Sequence, residues 1–249
     1  MAPHLSAIII THNEARRLGA CLESLKPIAD ETIVLDDGSA DETAEIARNA
    51  GARLSYRDFD NFGAQKQAAL DLATGDWVLS IDADERITPE LADEILAVTR
   101  ESTAADGYWI RRRLTYLGRP LRFGGTGSDW VLRLARRHTA TFSAKVIHES
   151  MLVRGRTARL GSALDHIKYA SLTEHMATID RYTQIIAGEK RLSGARFHMW
   201  HLLRIPAEIW KRLVFQGGFL DGRAGVIHAG MAAFYGFLKH AKLYRGEDR

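Results

Sequence analysis

Apolar positions follow two alternating rhythms over the first hundred residues. Short runs rich in β-branched and other apolar side chains occur at 5–11, 32–35, 52–56 and 77–81. Between them the apolar positions return at helical spacing, over about 15–26, 41–50, 62–74 and 88–99. Asp41 and Thr88 stand where helix N-caps belong, and Pro89 falls at a first helical position. Runs that are apolar on both faces, alternating with helices, predict an α/β fold with a mostly parallel sheet covered by helices. The pattern changes afterwards. Residues 108–114 and 130–136 alternate as strands, 123–128 form a glycine-rich loop, 171–192 read as a helix, and 196–245 read as mostly helical with a break at Gly217-Gly218.

In a sheet of this kind ligands bind beyond the carboxyl ends of the strands. That rule selects residues 11–14, 36–41 and 82–85, and each stretch is polar. Asp82 and Asp84, two apart at a strand end, are expected on one face. Two oxygen donors there suit Mg²⁺ or Mn²⁺, which keep sites open for phosphate and water. The alternative is a solvated acidic turn leading into the next helix. Asp36-Asp37-Gly38-Ser39-Ala40-Asp41 offers a similar choice, between a tight turn with a helix cap and a carboxylate at Asp36 that accepts from a base N–H.

Charge adds a division along the chain. The net charge is +3, but residues 1–189 hold 23 basic against 27 acidic side chains, whereas 190–249 hold 11 against 4. A basic tail rich in Trp, Phe and Leu suits an anionic surface. Membrane lipid fits better than nucleic acid, because no nucleic-acid module is recognisable and aliphatic residues dilute the basic ones. The longest apolar stretch, 224–238, includes His228 and several glycines, so no spanning helix is expected. The single cysteine, Cys21, allows no intrachain disulfide and fits a reducing compartment.

Three motifs in order carry a resemblance: Ile8-Ile9-Ile10-Thr11-His12-Asn13-Glu14, Val34-Leu35-Asp36-Asp37-Gly38-Ser39, and Asp76-Trp77-Val78-Leu79-Ser80-Ile81-Asp82-Ala83-Asp84. They resemble the family 2 inverting glycosyltransferases of the GT-A fold. Phe62-Gly63-Ala64-Gln65-Lys66-Gln67, Asp129-Trp130-Val131-Leu132-Arg133-Leu134, Lys145-Val146-Ile147-His148-Glu149 and Gly218-Phe219-Leu220-Asp221-Gly222 resemble a subgroup that adds a sugar, often glucose, to the inner core of bacterial lipopolysaccharide. The resemblance implies that Thr11, Asn13, Glu14 and Asp36 line the nucleotide pocket, with Asp36 reading uracil. It implies Lys66 near the diphosphate or sugar, Asp82 at the ribose or metal, and Asp84 as main ligand of Mn²⁺ or Mg²⁺.

Inverting transfer requires a carboxylate that takes the acceptor hydroxyl proton. Asp129 matches the family's base by spacing, although Ser128 stands where an acidic residue is usual. The alternatives are a loop aspartate paired with an arginine, and Glu149 as the base beside His148. His166 is a candidate third metal ligand or a structural histidine. The expected layout is a nucleotide-sugar-binding α/β half over 1–105, the acceptor-binding and catalytic half of the same domain over 106–192, and a basic amphipathic helical extension over 193–249. The implied partners are a UDP-sugar donor, a lipid-linked saccharide acceptor and an anionic membrane surface, at the inner face of the cytoplasmic membrane. Polyprenyl phosphate or another cell-surface glycan is an alternative acceptor, and a catalytically silent nucleotide-binding module is the rival of another class.

Overall fold

The computed structural model describes residues 3–101, 105–127, 129–143 and 150–244. The first hundred residues form β1 (Leu5–Thr11), α1 (Ala15–Leu25), β2 (Glu31–Asp36), α2 (Thr43–Asn49), β3 (Arg53–Tyr56), α3 (Phe62–Leu72), β4 (Trp77–Ser80), β5 (Glu85–Arg86) and α4 (Pro89–Arg100). Then come β6 (Gly107–Tyr116), β7 (Arg119–Pro120), β8 (Trp130–Arg136), β9 (Ala140–Phe142), β10 (Met151–Val153) and β11 (Thr157–Tyr169). The chain ends in α5 (Leu172–Leu192), α6 (Arg204–Trp210) and α7 (Gly222–Ala241). The expected strands and helices of the first hundred residues all form, with ends displaced by a residue or two.

The chain divides into two compact units: Met1–Arg112 with Asp129–His166, and Arg113–Ser128 with Ile167–Arg249. These units cut the sequence at other places than 1–105, 106–192 and 193–249, because β6 and β11 each run from one unit into the other.

The sheet has the order β3-β2-β1-β4-β8-β6-β11-β5, with β7 paired to β6. It is parallel from β3 through β4 and antiparallel where β4 meets β8 and β8 meets β6. Strand alternation explains the continuous apolar runs. On β1, Ala7 and Ile9 pack into one core with Leu18, Leu22, Val34, Leu79 and Ile95, while Ile8 packs on the other face with Ile33, Leu70 and Val78. Helices therefore cover both faces. Thr88 caps α4 as expected, its hydroxyl accepting from Leu91 N at 3.2 Å. Glu42, not Asp41, occupies the N-cap position of α2, and Asp41 assists from one residue earlier by accepting from Thr43 N at 3.1 Å.

The second unit holds α5, α6 and α7. Small residues Gly225, Ala229 and Ala233 are buried along one line of α7 and let its backbone come close to its neighbours. A Cβ on Gly225 would stand 2.0 Å from the Gly218 carbonyl oxygen. Tyr116 is fully buried with its hydroxyl 2.9 Å from His175 Nδ1, and Tyr169 stacks on the same imidazole. The Gly218–Gly222 segment anchors the start of the glycine-rich loop. Its Asp221 carboxylate accepts from Arg122 N at 3.1 Å and from Phe123 N at 2.9 Å. Among the described residues, no helix is long and apolar enough to cross a membrane.

Candidate active site

The carboxyl ends of β1 and β2 lie side by side, with Thr11 opposite Asp36. Asp36 is wholly buried, and its two oxygens accept four hydrogen bonds. Oδ1 takes the hydroxyls of Thr11 (3.1 Å) and Ser39, and Oδ2 takes the amides of Gly38 (3.0 Å) and Ser39 (2.9 Å). A carboxylate has about four lone-pair positions. All are filled, three by the turn that Asp36 begins and one by Thr11 of β1, so a base N–H would have to displace one of these donors. Gly38 adopts φ +88°, which the turn requires.

Asn13 joins the two loops. It sits at φ +54°, in the left-handed region that asparagine tolerates better than most residues. From there its amide donates to Ser39 Oγ and its side-chain oxygen accepts from Ala40 N, both at 2.8 Å. Glu14 N donates to Thr43 Oγ1 at 2.8 Å, and the Glu14 carboxylate meets Arg17 at 3.1 Å. Thr11, Asn13, Glu14 and Asp36 are thus brought together as one stitched floor.

At the end of β4 the expected same-face arrangement of Asp82 and Asp84 is corrected. The strand stops at Ser80, and a turn closed by Glu85 N donating to Asp82 O (2.9 Å) carries the acidic residues. Alternation does not apply in a turn, and the two aspartates take different partners. Asp82 lies between two cations, with Lys66 Nζ 3.0 Å from Oδ1 and Arg133 Nη2 against Oδ2. Burial raises the Asp82 pKa, but Arg133 and Lys66 outweigh it and hold the carboxyl well below the usual carboxylate range. Both of its oxygens face cationic nitrogen, so this arrangement does not display Asp82 as a metal ligand.

Asp84 instead meets His166, with Oδ2 3.2 Å from Nε2. The pairing of β5 with β11, in which Glu85 faces His166 and Arg86 faces Asp165, delivers the histidine. Among the described residues no group of three or more His, Cys, Asp or Glu side chains surrounds one point. Asp84 and His166 supply two donors, one hard oxygen and one imidazole nitrogen. Such a pair would suit a divalent ion that takes further oxygen donors from elsewhere.

Antiparallel pairing of β8 with β4, Leu79 opposite Leu134, sets the start of β8 beside the end of β4. That places Asp129 and Arg133 near the acidic turn. Asp129 is paired with an arginine, as one reading of the sequence allowed. Arg112 Nε and Nη2 lie 2.9 and 2.7 Å from Asp129 Oδ2, and Arg112 N donates to Asp129 O at 2.8 Å. Glu149 and His148 lie outside the described residues. Sequence reasoning held Glu85 only as the last residue of the polar stretch 82–85, without a role, and missed Arg112 and Arg133 as members of the site. Arg133 lay within a motif already singled out and Glu85 directly follows Asp84, but nothing in their spacing revealed a shared contact. A cavity of about 480 Å³ opens at the opposite end of β4, lined by Gly75, Asp76, Trp77, Arg136 and Arg137 among others, and includes none of these residues.

The family model for glycosyl transferase family 2 matches residues 6–158, more than half of the chain. The chain belongs to this family. The glycosyltransferase is 33% identical over 97% of its length to the lipopolysaccharide core biosynthesis glycosyltransferase LpsC of Rhizobium meliloti, 92% of which is covered. It is 30% identical to an uncharacterized glycosyltransferase of Rickettsia bellii, over 96% of this chain and 85% of the relative. A crystal structure of mannosyl-3-phosphoglycerate synthase from Rubrobacter xylanophilus overlaps 79% of the chain and 77% of its own, at 19% identity and a TM-score of 0.49. The glycosyltransferase has the GT-A type α/β fold expected of its family, with the parallel strands forming the half that carries Thr11, Asp36 and Asp82.

Proposed function

We propose that this glycosyltransferase moves a hexose, glucose being our choice, from a UDP-sugar to a lipid-linked saccharide such as the lipopolysaccharide inner core, with inversion. The observation that carries the reading is the Asp84–His166 pair at 3.2 Å, beside an acidic turn whose Asp82 already engages Lys66. Similarity to LpsC over nearly the whole chain supports the acceptor class.

In this reading the loops 11–14 and 36–41 receive the nucleoside, with Asp36 fixing the shape of that floor. Lys66 moves its charge from Asp82 toward the diphosphate as the donor arrives. Asp84 and His166 would hold Mn²⁺ or Mg²⁺, and the ion would supply positive charge against that of a departing diphosphate. The acceptor oxygen bonds to the anomeric carbon as the bond from that carbon to the diphosphate oxygen breaks. Its proton passes to Asp129, which must exchange Arg112 for the acceptor hydroxyl. Attack opposite the leaving group inverts the anomeric centre.

Exposed Trp200, Leu203, Trp210, Phe215, Phe219 and Leu220, interspersed with basic residues, support peripheral attachment to an anionic membrane. With a lipid-linked acceptor, that surface is the inner face of the cytoplasmic membrane, where nucleotide sugars are available.

Calorimetric titration of UDP- and GDP-sugars with Mn²⁺ tests the donor, and the anomeric configuration of the product by NMR tests inversion. Metal-dependent binding of a UDP-hexose and an inverted product are expected. A retained anomer or no nucleotide-sugar binding overturns the reading.

A further inference from the structure

Six charged side chains form one alternating line through the site: Lys66, Asp82, Arg133, Glu85, Arg112 and Asp129. Glu85 occupies its middle and is wholly buried. Its Oε1 lies 2.6 Å from Arg133 Nη2 and 3.5 Å from Arg112 Nη1, while Oε2 accepts from Asp82 N at 2.9 Å. One carboxylate therefore touches the arginine that grips Asp82, the arginine that grips Asp129, and the backbone of Asp82 itself.

Fold stability alone does not account for this. Buried ion pairs are costly to desolvate, and apolar residues of similar size often serve a core equally well. Arg133 also leaves its Nε buried without a hydrogen-bond partner. Its guanidinium is oriented toward Glu85 and Asp82 at the expense of one of its own donors. We infer that Glu85 is a positioning residue that sets the distance between the donor-side carboxylate Asp82 and the acceptor-side carboxylate Asp129, acting through Arg133 and Arg112. This rests on the proposed role of Asp129 as base and on Asp82 as the carboxylate that holds Lys66 before the donor arrives.

The two sides depend on it unequally. Asp82 keeps Lys66 as a second cation when Glu85 loses its charge. Arg112, by contrast, then has a weaker hold on its buried end and carries Asp129 with it. A displacement of about 1 Å at a reacting group can cost on the order of 100-fold in rate. The role therefore shows mainly in kcat, with donor KM changing less.

The test uses the full chain with Mn²⁺, and follows release of UDP or GDP from UDP-glucose or GDP-mannose with water as acceptor. Glu85→Gln is expected to lower kcat about 100-fold, to change donor KM less than about fivefold, and to leave the far-ultraviolet circular dichroism unchanged. Glu85→Asp, which keeps the charge, is expected to restore kcat to within about tenfold of wild type. Arg112→Met is expected to match Glu85→Gln, and the double variant to be no slower than either single one, because both break the same link. An active wild type with Glu85→Gln within threefold of its kcat overturns the role of Glu85 alone, as does a double variant whose losses multiply. A wild type that turns over neither nucleotide sugar overturns the proposed function, and this inference with it.

Discussion

Asp84 and His166 stand 82 residues apart in sequence, yet the aspartate Oδ2 and the histidine Nε2 are 3.2 Å apart. The short antiparallel pairing of β5 with β11 is the cause, since it sets His166 opposite Glu85, the residue next to Asp84. If the pair holds the metal, Asp84→Ala should abolish Mn²⁺-dependent binding of UDP-sugar in calorimetry. His166→Ala should weaken it by at least about 10–100-fold, the loss usual when even an outer-shell partner of a metal ligand is removed. Equal affinity with and without Mn²⁺ in wild type, or no effect of either substitution, would remove the assignment.

Asp129 is held by Arg112 through two side-chain nitrogens and one backbone amide. A base in this position must leave the guanidinium to take a proton, so its carboxylate, not merely its shape, is needed. Asp129→Asn should keep donor affinity within about threefold and lower transfer by about 10²–10⁴-fold, the usual contribution of general base catalysis. Rapid transfer by Asp129→Asn together with inactive Glu149→Gln would move the base to Glu149.

The parallel half was legible because burial on both faces imposes a signal on nearly every residue of β1, β2 and β4. β11 was not, although it is the longest strand. Its residues are only intermittently buried, and Gly161, Asp165 and Lys168 interrupt any alternation. Reading Asp82 and Asp84 as one pair assumed an extended chain, and a turn beginning after Ser80 sends them to different partners. The line through Glu85 was invisible for another reason. It joins residues from α3, the β4–β5 turn, β5, β6, β8 and the residue just before β8, and contacts between distant segments leave no local periodicity.

The four hydrogen bonds on Asp36 separate two readings of that residue. In Asp36→Asn, an amide NH₂ facing the two backbone amides sets donor against donor, and one facing the Thr11 and Ser39 hydroxyls makes them turn to accept, so that their protons lose the acceptor they had. Leaving such buried groups unsatisfied costs about 1–3 kcal/mol each. For a protein of this size that corresponds to a fall in Tm of about 2–4 °C per kcal/mol. UDP- and GDP-sugar affinities should fall together, because the whole floor loosens. An unchanged Tm with selective loss of uridine recognition would make Asp36 a direct reader of the base instead.

Membrane attachment is tested better by surface substitution than by removing the C-terminal segment. α7 buries Gly225, Ala229, Ala233 and His240, so truncation would dismantle the second unit before it reported on lipid. Trp210 and Phe215 are 59% and 79% exposed, which makes them replaceable without opening a core. Fully burying a large apolar side chain contributes about 1.5–3 kcal/mol, whereas a basic residue near an anionic surface contributes about 1 kcal/mol. The two aromatics should therefore outweigh any one lysine or arginine of the tail. Trp210→Glu with Phe215→Glu is expected to reduce co-sedimentation with phosphatidylglycerol vesicles by more than about tenfold, with Tm little changed. Wild-type binding should weaken on pure phosphatidylcholine and in high salt, since the basic residues then lose their counter-charge. Equal sedimentation of variant and wild type would assign the exposed aromatics to some other surface.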